Sequence, residues 1–108
     1  MITENLFIKM ALSFPGTEQV PHFERMGFQV TGRRMYATYL AKDHTANIFL
    51  LPAAQKAFCQ MHDEGIYPVP NKWGEKGATT FDLQLVPKEI VMNALLAAYD
   101  EVMKGKKN

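Results

Sequence analysis

Three histidines, one cysteine and two adjacent carboxylate pairs are the residues here best suited to chemistry. Zinc needs three or four convergent N, S or O ligands. His22, His44 and His62 form no i, i+3 or i, i+4 pair, and no CxxC or HExxH pattern is present. No metal site is expected. His44 reads as an exposed turn residue. His62 falls late in a helix, where a positive charge suits the dipole. His22, after Pro21, reads as a structural hydrogen-bonder rather than a base. Cys59 lies in a helical stretch with no base beside it, so it reads as a small, half-buried apolar residue. Asp63-Glu64 and Asp100-Glu101 are sequence neighbours, and neighbours on a helix do not face each other. Paired-carboxylate hydrolysis is therefore not indicated. Gly74-Glu75-Lys76-Gly77 lacks the Lys-Ser/Thr and the strand–turn–helix setting of a phosphate loop. The expectation is a non-enzyme with no catalytic residue and no cofactor.

Two features fit binding instead. From Glu24 to Lys42 the charged residues are Glu24, Arg25, Arg33, Arg34 and Lys42, four positive against one negative. Arg33 and Arg34 sit at a turn, where side chains reach outward and can meet phosphates. The plainer account is charge that keeps a turn and edge soluble. The second feature is the lone Trp73, between Pro70-Asn71-Lys72 and Gly74-Glu75-Lys76-Gly77. It can stack on a base while Lys72 and Lys76 meet phosphates. It can equally fold back and plug the edge of the core, the plainer expectation for so large an apolar group. The DNA-binding candidates are thus Arg33, Arg34, Lys42, Lys72, Trp73 and Lys76. The alternative is a cleft for a small ligand or a protein, with His22, Asn71 and Trp73 as contacts.

These residues need a scaffold, and the composition supplies one. The chain has 108 residues, 47% of them hydrophobic and 21% charged. That is one ordinary globular domain with one core, spanning 1–108. Twelve basic residues against eleven acidic give a net charge of +1. A chain this neutral attracts a polyanion only if its cations gather on one face. No stretch approaches the roughly 20 apolar residues that cross a bilayer. The N-terminus does not read as a signal peptide and the single cysteine forms no internal disulfide, so a cytoplasmic location is expected; a monomer is the accompanying expectation.

Apolar periodicity predicts a helix from about Thr3 to Ser13, capped by Thr3 and stopped by Pro15-Gly16. Strands follow at Met26–Val30, Met35–Ala41 and Asn47–Leu51, with turns at Thr31-Gly32-Arg33 and Lys42–Thr45. Pro52 opens a second helix to about Asp63, with Ala54, Ala57, Phe58 and Met61 on one face. The segment from Ile66 to Gly77 cannot be regular throughout. A strand at Thr79–Leu85 and a helix from Pro87 to Met103 complete the order. Two neighbouring apolar stripes on that last helix predict hard packing on the sheet. Residues 104–108 read as a frayed basic tail. The fold class is α+β, an antiparallel sheet with helices on one face.

The chain resembles the MmcQ/YjbR family over nearly its full length. The matching pieces are Phe14-Pro15-Gly16-Thr17-Glu18, Pro21-His22-Phe23 and Phe28-x-Val30-x-Gly32-Arg33-Arg34. Leu51-Pro52-Ala53-Ala54-Gln55, Tyr67-Pro68-Val69-Pro70-Asn71-Lys72-Trp73-Gly74-x-x-Gly77-x-Thr79, and the Ala94-Leu95-Leu96 helix with Tyr99 follow in order. The resemblance implies a frataxin-like, double-wing fold and a DNA-binding role. One departure stands out: the family often has a second tryptophan after the loop glycine, where this chain has Ala78. The first helix carries only Glu4, so no acidic iron-binding ridge of the frataxin kind is expected.

Overall fold

Thr3 starts the first helix by accepting a hydrogen bond from the Leu6 amide at 3.1 Å. That satisfies one of the free N–H groups at a helix start. The structure, a computed structural model, describes residues 1–105. Helix α1 runs Glu4–Ala11 and is followed by strands β1 Thr17–His22, β2 Arg25–Val30, β3 Met35–Leu40 and β4 Thr45–Phe49. Helix α2 Pro52–Met61, strand β5 Ile66–Pro68, the short helix α3 Lys72–Glu75, strand β6 Ala78–Asp82 and helix α4 Lys88–Lys104 complete the chain. The six strands form one antiparallel sheet in the order β1-β2-β3-β4-β6-β5. The α+β class with an antiparallel sheet is as expected.

Strand register sorts the side chains onto two faces. Met26, Tyr39, Ala46, Phe81 and Ile66 lie opposite one another across the sheet. They belong to the covered face. Phe7 of α1 stacks on Tyr39 at 5.6 Å and meets Phe28 edge-on at 5.7 Å. Phe58 of α2 packs edge-on against Phe81, while α4 lies over β3 and β4. Such aromatic pairs add about 0.5–1.5 kcal/mol each beyond their area. The next residue along each strand goes to the other face. Gly27, Thr38, Asn47, Thr80 and Tyr67 form that second row.

Three features depart from the sequence expectations. Thr17–His22 is a strand, placing His22 at its end rather than before the sheet. Its Pro21 is tolerated because β1 is an edge strand. The register slips between Phe28 and Gln29, leaving Tyr36 as an extra residue in β3. This bulge puts Tyr36 on the covered face beside Ala37, which strict alternation forbids. The Ile66–Gly77 segment is irregular between short elements, as expected: it holds β5 and the one-turn α3, which Asn71 caps by accepting from the Trp73 amide at 2.8 Å. Finally, the second stripe of α4 is only half used: Tyr99 is buried, but Leu96 and Met103 are exposed. Of the expected tail, Lys104 closes α4, and 106–108 lie outside the described residues.

One histidine is also corrected. His44 is no exposed turn residue: it is half-buried, with Nδ1 2.8 Å from the Tyr39 hydroxyl and Nε2 bonded to the Ile2 carbonyl. His62 closes α2 as its C-cap. Its Nδ1 accepts from the Gly65 amide at 3.0 Å. Cys59 is half-buried and packs at the core edge, and burial pushes its thiol pKa up.

Tyr36 ties the bulge to α1 by donating to the Ala11 carbonyl. Burial pushes its pKa up to about 12; a hydrogen bond with Thr17 pulls the other way and Tyr99 adds to the rise. The folded state therefore holds this proton where the unfolded chain releases it. The stabilisation is complete below pH 10 and is lost as pH climbs toward 12. Tyr36→Phe is expected to be about 1 kcal/mol less stable at neutral pH. Its denaturation midpoint should fall less than the wild type's between pH 10 and 12. Parallel falls in the two proteins would locate the alkaline sensitivity elsewhere.

Candidate functional site

Three helices pack on one face of the sheet, and over the other lies a cleft of about 730 Å³. Its floor comes from alternate strand residues. Arg25 Nε donates to Thr38 Oγ1 at 2.8 Å, and Thr80 Oγ1 donates to Asn47 Oδ1 at 2.8 Å. Arg25, Thr38 and Asn47 line the cleft, with Met35 and Phe49 beside them.

Two projections flank this floor. One is the turn between β1 and β2. Phe23 there takes φ 59°, a left-handed conformation that costs a non-glycine residue about 1 kcal/mol or more. Its ring is 93% exposed and meets the His22 ring edge-on at 5.0 Å. An aromatic ring held out by strained backbone is unusual for a mere connector.

The other projection carries α3. Its approach to the sheet depends on two glycines. A Cβ on Gly74 would lie 1.7 Å from the Val69 carbonyl oxygen. Gly77 takes φ +118°, and a Cβ there would lie 1.8 Å from the Leu50 carbonyl oxygen. Gln55 of α2 holds the same loop, donating to the Gly74 and Ala78 carbonyls at 2.8 and 3.0 Å. So clamped, the loop presents Trp73 outward at 67% exposure, and the core-plug expectation is overturned. Lys76 Nζ lies 5.4 Å from the centre of the Trp73 ring. That is cation–π distance.

The expected site residues divide three ways. Arg34, Trp73 and Lys76 line the cleft, as do His22 and Asn71 of the alternative set. Arg33 is used elsewhere: Nη1 donates to the Gly105 carbonyl at 2.6 Å and to the Val102 carbonyl at 3.4 Å. It caps the negative end of α4. Lys42 is exposed in the β3–β4 turn and does not line the cleft. Lys72 faces a separate shallow groove with Gln55, Pro68 and Glu75. Sequence reasoning missed Phe23, Arg25, Thr38 and Asn47. The available signal was that Arg25 and Gly27, or Thr38 and Leu40, fall out of phase with the apolar positions.

The charge is local. Arg25, Arg34 and Lys76 line the cleft against one carboxylate, Glu101 at its margin. Glu101 Oε2 lies 4.0 Å from Lys104 Nζ, the one ion pair among the described residues. Ala78 is buried and lies opposite Phe49. Among the described residues no group of His, Cys, Asp and Glu comes together to hold a metal ion. No helix there is long and apolar enough to cross a membrane.

No family model matches this chain, and no curated protein matches it in sequence. A solved structure does: the crystal structure of Deinococcus radiodurans protein DR2400, with a DUF419 domain, matches with a TM-score of 0.80. The match has 24% identity and covers 96% of this chain and 80% of that one. DUF419 is the MmcQ/YjbR family. At that identity the likeness establishes the fold.

The clamp on the α3 loop makes a direct test. Gly74→Ala is expected to cost about 3 kcal/mol in denaturant unfolding. The wild-type Trp73 emission should be that of a water-exposed indole, open to acrylamide. A blue-shifted, unquenchable emission would return the ring to the core.

Proposed function

We propose that the chain is an MmcQ/YjbR-type binding module that holds a DNA strand across the uncovered sheet face. Trp73 and Phe23 would stack on bases, while Arg34, Lys76 and Arg25 would meet phosphates. One observation carries this reading: three cations and two exposed rings surround a single cleft. With a net charge of only +1, attraction for a polyanion must come from such a local gathering. Stacking on an aromatic side chain is worth about 1–3 kcal/mol per base and tolerates any sequence. The likeness to the DUF419 domain agrees with this proposal at the level of fold.

A second reading has its own support. A volume of about 730 Å³ also suits a small molecule, for which pockets run from roughly 300 to 1,000 Å³. No catalytic role is proposed under either reading.

Quenching of Trp73 by a single-stranded oligonucleotide at low salt tests the first reading. With three phosphate contacts, the log–log salt slope is expected near −2. Arg34→Gln with Lys76→Gln should flatten it by about 1 to 1.5. Arg33→Gln should weaken α4 without changing the slope. No quenching at low salt, or a slope near zero, would leave the small-molecule reading in possession of the cleft.

A further inference from the structure

The cleft floor has a hydrogen-bonding polarity. Arg25 spends Nε on Thr38 Oγ1. Its Nη2 is the one buried side-chain polar atom among the described residues with no partner. Thr38, having accepted that bond, turns its own hydroxyl hydrogen elsewhere. Asn47 spends its carbonyl oxygen on Thr80, which leaves its NH₂ group to donate. Donors therefore dominate this floor, and Arg25 carries a full charge.

An N–H of a charged group, shut from water and left without an acceptor, costs more than a neutral one. Burial lowers the Arg25 pKa, with Asp43 and then Glu24 acting through space in the opposite sense. Neither carboxylate comes within 4.0 Å as an ion pair. A ligand oxygen in the cleft is one acceptor that would complete this group. Nη2 is enclosed, so an acceptor in the cleft that Arg25 lines meets it only if the guanidinium turns about its Thr38 bond.

We infer that the floor at Arg25, Thr38 and Asn47 seats one phosphoryl oxyanion, with the attached nucleoside's base against Trp73. The unit recognised is a nucleotide, whether free or within a single strand. This deepens the DNA-binding proposal and rests on its cleft. A base set against Trp73 favours an unpaired strand, because drawing a paired base out of its stack costs a few kcal/mol.

Trp73 fluorescence and the Arg25 Nε–H resonance would be followed during titration with thymidine, thymidine 5′-monophosphate, inorganic phosphate and a short oligothymidylate. The monophosphate is expected to bind about 10- to 100-fold more tightly than thymidine and to shift the Arg25 resonance. Arg25→Gln should abolish that preference and leave thymidine binding unchanged. Lys42→Gln, outside the cleft, should preserve it. Arg25→Lys, which keeps the charge but loses the fork, should recover only part of the preference and guards against a Gln variant that does not fold. Equal binding of thymidine and its monophosphate overturns the seat, as does a preference that survives Arg25→Gln. If the oligothymidylate binds while Arg25→Gln changes nothing, the seat fails and the strand-binding proposal stands. If the monophosphate binds through Arg25 and the oligothymidylate does not, the seat holds for a free nucleotide and strand binding falls. Inorganic phosphate bound as tightly as the monophosphate would remove the base from the site.

Discussion

Everything in this molecule depends on a sheet that is covered on one face only. Helices α1, α2 and α4 bury Phe7, Phe28, Tyr39, Ile48 and Phe81 against it. Side chains alternate across a strand, so each buried residue sends its neighbours to the uncovered side. Thr38 is there because Ala37 and Tyr39 are not. Asn47 is there because Ala46 and Ile48 are core. The polar floor is thus a consequence of the hydrophobic core, delivered by the pleat. The Tyr36 bulge is the one place where the alternation breaks, and it turns Met35 toward the cleft.

The two flanks are fixed by different means. The β1–β2 turn holds Phe23 out through left-handed backbone. The α3 loop is pinned by contacts too close for any side chain at Gly74, by the Asn71 cap and by two hydrogen bonds from Gln55. A rigid loop keeps an exposed ring in place at little entropic cost on binding, which is how preorganisation raises affinity. The adjacent arginines show a division of labour. Arg33 stabilises the carboxyl end of α4, while Arg34 stays at the cleft. One residue of register separates a structural cation from an available one.

Much of this was legible in the chain itself. The Thr3 cap, the Pro15-Gly16 stop, the Pro52 start and the apolar stripes of three helices mark their elements through interactions within a few residues. So do the turns around Gly32 and Asp43. The likeness in fold to a DUF419 domain agrees with the architecture those signals imply. Trp73 and Lys76 could be singled out because they stand beside each other in a turn-rich segment. β1 escaped notice because Pro21 lowers its strand signal, and His44 because its partners are Tyr39 and the distant Ile2.

By itself the sequence determined the three long helices, most of the strands, the α+β class and the need for any polyanion site to be a local cluster, since net charge is near zero. Only the tertiary structure decided which cations form that cluster. Arg25, Arg34 and Lys76 come from three separate segments, brought together by strand order and register. The physical reason is range. Caps and periodicity act over one or two turns of chain, whereas the meeting of Arg25 with Thr38, or of Thr80 with Asn47, is fixed by cross-strand pairing between residues 13 and 33 apart.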